Sequence, residues 1–152
     1  MRFDLSTNTL AGYAIINKKL AVWGGDQKRP QIHIDDMTDF VVNLLATPSE
    51  KIGGKLFNAA GSNTTVREIA ETIRSVMDGE LELTNAPARS DERSYHVSSE
   101  KIAWELGFTI RKSIRDAVVD IVKAYEDGLW TSPDDSLYHN VKRIKSMGSS
   151  AL

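Results

Sequence analysis

Apolar positions switch repeatedly between a helical and a two-residue period, so helices and strands are predicted to interleave. Leu10, Ala11, Ala14 and Ile15 share one stripe and predict a short helix over residues 7–17. Lys18 and Lys19 lead into Leu20–Trp23, a strand closed by Gly24 and Gly25. After a polar stretch, a second strand is expected over Gln31–Ile34, with Ile32 and Ile34 on one side and His33 on the other. Asp35 and Asp36 have the short acceptor side chains that suit a helix N-cap. Beyond them Met37, Phe40, Val41, Leu44 and Leu45 recur at the spacing of a core-facing helix, and Pro48 follows its end.

The alternation continues. Residues 55–60 read as a strand between Gly53-Gly54 and Gly61-Ser62-Asn63. Thr65 and Glu68 form a capping-box pattern, in which hydroxyl and carboxylate satisfy free amides at a helix start. Val66, Ile69, Ala70, Ile73, Val76 and Met77 extend that helix until Gly79 stops it. Residues 81–84 form a strand candidate, and 85–94 a polar loop with Pro87, Arg89 and Arg93. A short helix starts at Ser98 or Ser99 and ends at Gly107, a C-terminal glycine. Ser113 and Asp116 repeat the capping box before the last stripe, Ile114, Ala117, Val118, Ile121, Val122 and Tyr125, which Gly128 stops. Residues 129–152 show little periodicity and are expected to form a loosely ordered tail behind a structured portion, 1–128. The class is α/β or α+β.

Composition narrows the function. The chain has 152 residues, of which 41% are apolar and 26% charged, as in one folded domain. A formal net charge of −2 gives no electrostatic case for nucleic acid or an anionic membrane surface. No apolar run approaches the roughly 18 residues that span a bilayer, and the opening MRFDLSTN lacks the apolar core of a signal peptide. Without cysteine there is no disulfide, thiolate metal site or cysteine nucleophile. A cytoplasmic protein is the default expectation. His33, His96 and His139 lie far apart, so no metal motif is read, and neither a Walker loop nor a glycine-rich dinucleotide turn is present.

One stretch carries chemistry. Arg29 stands where a turn enters a strand, and Pro30 restricts it to an extended backbone. A planar guanidinium held this way suits a phosphate or diphosphate, although a surface arginine beside a turn has the same local sequence. The run Gly24-Gly25-Asp26-Gln27-x-Arg29-Pro30-x-Ile32-His33-Ile34-x-Asp36 resembles the substrate-domain signature of the extended short-chain dehydrogenase/reductases, the NAD-dependent nucleotide-sugar epimerases and dehydratases. Three further pieces follow in that family's order. They are Gly54 to Asn58 and Gly61 before Thr65-Val66-Arg67-Glu68; Asp91 to Tyr95 before Ser99, Lys101 and Leu106-Gly107-Phe108; and the helix from Ser113. The resemblance spans roughly residues 2–127.

The resemblance implies an α/β fold, the C-terminal substrate domain of a Rossmann-type enzyme without most of its parallel NAD-binding sheet. It implies that Arg29 and Arg93 clamp the diphosphate of a nucleotide sugar, with Arg89 a nearby competitor for the second role. Asn8 and Thr65 fall in segments that line the nucleotide in relatives, but helix capping explains both equally well. Asn58 is expected to be a structural hydrogen bonder, and Asp35 and Asp36 helix caps. The family's NAD loop and Tyr-x-x-x-Lys pair precede the matching region. Tyr138 and Lys142 repeat that spacing only by position in the tail. The chain therefore reads as the C-terminal portion of a longer enzyme that starts at an internal methionine. By itself it is expected to bind no NAD and to lack oxidoreductase activity. Two alternatives accompany this reading. One is a non-catalytic nucleotide-sugar-binding or interaction module that needs a partner Rossmann domain. The other is a chain whose uncovered apolar surface leads to a homodimer or to marginal stability.

Overall fold

The computed structural model describes residues 1–78, 81–86 and 93–148. Two two-stranded sheets sit among the helices. The first pairs β1 (Lys19–Trp23) with β4 (Glu82–Ala86) in parallel, placing Leu20 beside Leu83. The second pairs β2 (Lys28–Gln31) with β3 (Ser62–Thr65) antiparallel, placing Arg29 opposite Thr64 and Gln31 opposite Ser62. The helices are α1 (Ser6–Asn17), α2 (Ile34–Ala46), α3 (Ser49–Ile52), α4 (Val66–Val76), α5 (Glu100–Leu106), α6 (Ile114–Glu126) and α7 (Asn140–Ser146). A 3-10 turn, Ser136–Tyr138, precedes α7.

The larger core joins α1, α4 and α6 to the first sheet. Ala11, Ala14, Leu20, Val22, Ile69, Ala70, Ile73 and Val118 are all buried there. Gly12 allows the closest approach: a Cβ on it would lie 2.7 Å from the Phe3 ring and 3.0 Å from Pro133. A smaller core packs Phe40 of α2 against Ile102 of α5 and Phe108, with the two phenylalanine rings 5.1 Å apart.

Both capping boxes form as the sequence predicts, at Thr65/Glu68 on α4 and Ser113/Asp116 on α6. Gly107 closes α5 in the left-handed region at φ 65°. Gly79, Pro87 and Arg89 lie outside the described residues.

Three local expectations are corrected. The strand expected at Gln31–Ile34 instead occupies Lys28–Gln31, and Ile34 opens α2 with most of its side chain exposed. The helix starts there because His33 is its N-cap: Nδ1 accepts the Asp35 backbone N–H at 3.2 Å. Asp35 and Asp36 therefore stand inside the first turn and are not its caps. Residues 55–60 form no strand. Their backbone is held by side chains, with Lys101 Nζ donating to the Leu56 carbonyl at 2.8 Å and Ser99 Oγ bonding both N–H and C=O of Ala60. The strand is Ser62–Thr65, which takes in Ser62 and Asn63 of the expected exit turn and the Thr65 cap.

Beyond Gly128, where helical periodicity fades, aromatic contacts hold the chain. Trp130 is buried, packs on Phe3 at 4.7 Å between centroids and donates its indole N–H to the Ile121 carbonyl. Tyr138 also packs edge-on with Phe3, at 5.5 Å between centroids, and the Phe3 N–H donates to its carbonyl at 2.9 Å. Among the described residues, no helix is long and apolar enough to cross a membrane.

Candidate functional site

β2 carries Arg29 into a position that the Lys28 and Arg93 carbonyls and the Tyr95 ring help to set. Its Nη1 donates to the Lys28 carbonyl at 2.9 Å and also to the Arg93 carbonyl, and the Tyr95 ring centroid lies 5.2 Å from its Cζ. Arg93 is exposed on the neighbouring stretch. The structure thus brings the two arginine-bearing segments together through a guanidinium-to-backbone bond. This is the contact by which Arg29 recognises the segment.

A cleft of about 660 Å³ opens beside this sheet. Residues two apart on a strand share a face. Gln31, Ser62, Asn63 and Thr64 line the cleft; Arg29 shares a face of β2 with Gln31 by alternation but is not itself in the lining. Gln31 ties that wall to α1: the Thr7 hydroxyl donates to its Oε1 at 2.8 Å, and its Nε2 donates to Ser6 Oγ at 3.2 Å. Asn8 also lines the cleft and donates to the Arg2 carbonyl at 2.8 Å. Thr65 lies outside the lining and spends its hydroxyl on Glu68. Thr65's backbone N–H and hydroxyl hold the Glu68 carboxyl below the ordinary carboxylate range, and Ser113 does the same for Asp116.

The opposite wall is built on Asp36. Its carboxylate, 1% exposed, accepts the backbone N–H groups of Arg111 at 3.1 Å and Lys112 at 2.8 Å. A buried carboxylate needs such donors. Arg111 pairs with Asp39, and Lys112 with Asp35 at 3.3 Å, an acceptor that raises the Lys112 ammonium above its ordinary value. The sequence motif thus builds a cleft wall; no local signal announces Arg111 or Lys112, and Tyr95 enters by sequence only as the end of the Asp91–Tyr95 piece.

Among the described residues, donor atoms of His33, Asp35 and Asp120 lie within 4.8 Å of one another. They do not suit a metal. Nδ1 already accepts the Asp35 amide at 3.2 Å, Nε2 faces Asp120 at 3.2 Å, and the Asp35 carboxylate is paired with Lys112 at 3.3 Å. The glycine pair makes no dinucleotide turn either. Gly24 and Gly25 lead from β1 into β2, not into a helix, and a Cβ on Gly25 would lie 2.8 Å from the Arg67 guanidinium. Tyr138 donates its hydroxyl to the Leu129 carbonyl at 3.3 Å, and its ring packs on Phe3.

No protein-family model matches the chain. "Putative GDP-L-fucose synthase 2" of Oryza sativa subsp. japonica is 32% identical over 109 residues, covering 70% of this chain and 30% of that protein. UDP-glucuronic acid 4-epimerase from Bacillus cereus, in complex with UDP-glucuronic acid and NAD, has a TM-score of 0.69 at 19% identity, over 86% of this chain and 42% of its own. WbmF of Bordetella bronchiseptica, in complex with NAD+ and UDP, has a TM-score of 0.66 at 22% identity, over 95% of this chain and 41% of its own. The fold is that of the C-terminal part of Rossmann-type extended short-chain dehydrogenase/reductases. In sequence and fold the chain is thus similar to part of that family. The chain spans about a third of the length of the curated relatives it matches.

Proposed function

We propose that the chain is the substrate-binding part of an NAD-dependent nucleotide-sugar epimerase or dehydratase and holds the diphosphate of the nucleotide sugar. The observation that supports this reading is the bond from Arg29 to the Arg93 carbonyl, which makes one surface of two segments that are distant in sequence. Arg29 and Arg93 are assigned to the diphosphate. Asn8 is assigned to the nucleotide from the cleft wall, while Thr65, which alternation puts on the other face of β3 from Thr64, keeps its place as the cap of α4. Arginine is suited to the task because its fork matches oxyanion geometry and stays charged at any working pH. The contribution to catalysis is orientation: a diphosphate anchored at one end limits where the sugar can lie. The proton and hydride chemistry belongs to a dinucleotide-binding domain, so the isolated chain gives no turnover with NAD and nucleotide sugars.

Calorimetric titration with UDP-, GDP- and dTDP-sugars tests the assignment. Arg29→Ala and Arg93→Ala are each expected to weaken binding about ten-fold or more, the size of a charge-assisted hydrogen bond. Binding that neither change affects removes the clamp.

A second reading, an interaction module without catalysis that docks on a partner dinucleotide-binding domain or on a second copy, is favoured by the outer face of α2. Ile34, Val41, Val42 and Leu45 are exposed there by 70%, 46%, 58% and 84%. Sedimentation of the chain alone separates the two occupants: a dimer supports a second copy, and a monomer removes it.

A further inference from the structure

The stretch that carries Arg93 runs beside the second sheet, held largely by side chains. Lys28 donates its N–H to Ser94 Oγ at 3.0 Å. Asn63 turns both ends of its amide on Val97, accepting its N–H at 2.8 Å and donating to its carbonyl at 2.9 Å. Between these anchors the Tyr95 ring meets the Arg29 guanidinium. Tyr95 is 52% exposed and belongs to neither core cluster, so packing of the interior does not explain its place.

We propose that Tyr95 is a positioning residue for Arg29, its ring face fixing the plane in which the guanidinium meets an oxyanion. This rests on the reading of Arg29 as a diphosphate contact. A long cationic side chain gives up rotamer freedom when it takes a ligand. In this structure much of that ordering is done beforehand: two carbonyls accept from Nη1, and an aromatic face lies within cation–π range. The attraction comes from the ring and needs no hydroxyl, so phenylalanine serves as well as tyrosine. Asn63 acts one step further back, by fixing the register of Val97 and with it the ring.

The test is a double-mutant cycle on the full chain, titrated with inorganic pyrophosphate and with UDP. Tyr95→Leu is expected to weaken binding about two- to five-fold, the range of an exposed cation–π contact. Tyr95→Phe should match the parent, and Tyr95→Leu should cost nothing further in an Arg29→Ala background. Loss in Arg29→Ala together with parental binding by Tyr95→Leu, or fully additive losses, overturns the role of Tyr95 while leaving the diphosphate reading intact. If Arg29→Ala itself binds like the parent, the diphosphate reading falls, and a ligand-free measurement decides on Tyr95. The Arg29 Nε–H resonance, shifted by the ring current, should move in Tyr95→Leu and stay in place in Tyr95→Phe. An Arg29 resonance indifferent to both changes overturns the proposal.

Discussion

α4 and α2 carry apolar stripes of the same period, yet the fold treats them differently. On α4, Val66, Ile69, Ala70 and Ile73 are all buried, in the core shared with α1 and α6. On α2, Phe40 is buried and Met37 and Leu44 are partly covered, while Val41 and Leu45 of the same stripe are exposed. The difference lies in the breadth of the apolar arc. An arc as wide as the groove that receives it disappears into one core; a wider one keeps a face turned outward. Periodicity thus identifies a helix and its inner face, but the number of surfaces the helix serves is fixed by what packs around it.

The largest expected effect tests the α4 side. Ile73 is 0% exposed, and Ile73→Ala should lower unfolding free energy by about 4 kcal/mol, from lost burial and the cavity left behind. Urea denaturation measures it, and a cost below about 1 kcal/mol would show that this core collapses around the gap. The strongest point on the α2 side is polar. Asp36→Ala strands the amides of Arg111 and Lys112, and the expected loss is about 3 kcal/mol. Asp36→Asn retains one acceptor oxygen and should recover part of it. Equal losses for the two variants would mean that Asp36 acts by packing and not by accepting those bonds.

The caps sharpen the contrast further. Thr65→Ala removes the hydroxyl of the α4 capping box and should cost about 1 kcal/mol. The pH dependence has a definite sign. Glu68 and Asp116 are held below the ordinary carboxylate range by the donors that face them. A depressed folded value stabilises the protein above the unfolded one, and that stability disappears as pH falls through the folded value. The urea midpoint should therefore hold from neutrality to about pH 5 and fall below about pH 4. Glu68→Gln should flatten part of that fall. A midpoint that rises on acidification contradicts the assignment.

What the sequence reveals follows the range of the interactions. Both capping boxes, the Gly107 stop and the stripes of α4 and α6 depend on residues within a turn or two, and they stand where their spacing puts them. β3 depends on a partner more than thirty residues away. Ser62 and Asn63 therefore look like a turn until Arg29 is found opposite Thr64. Residues 55–60 fail as a strand for the converse reason, since Ser99 and Lys101 take the backbone groups that a neighbouring strand would need. The site divides in the same way. Arg29 stands out beside Pro30, but Asn63 and Tyr95 acquire meaning only from the stretch between them and Val97.

The smallest expected effect is the most direct test of the two-sided helix. Leu45 is 84% exposed, so its side chain has almost no burial to lose, and Leu45→Ala should change unfolding free energy by no more than about 0.5 kcal/mol. The same deletion at Ile73 removes a fully enclosed side chain, so the two costs should differ several-fold although both residues belong to helical apolar stripes. Concentration adds a second axis. If the outer face of α2 is covered by a second copy, Leu45→Ala becomes costly as protein concentration rises, because mass action couples association to stability. Denaturation of Leu45→Ala at two concentrations a hundred-fold apart distinguishes the cases. A cost near zero at both means that the face is open to solvent in the free chain. A cost that grows with concentration means that it is an interface.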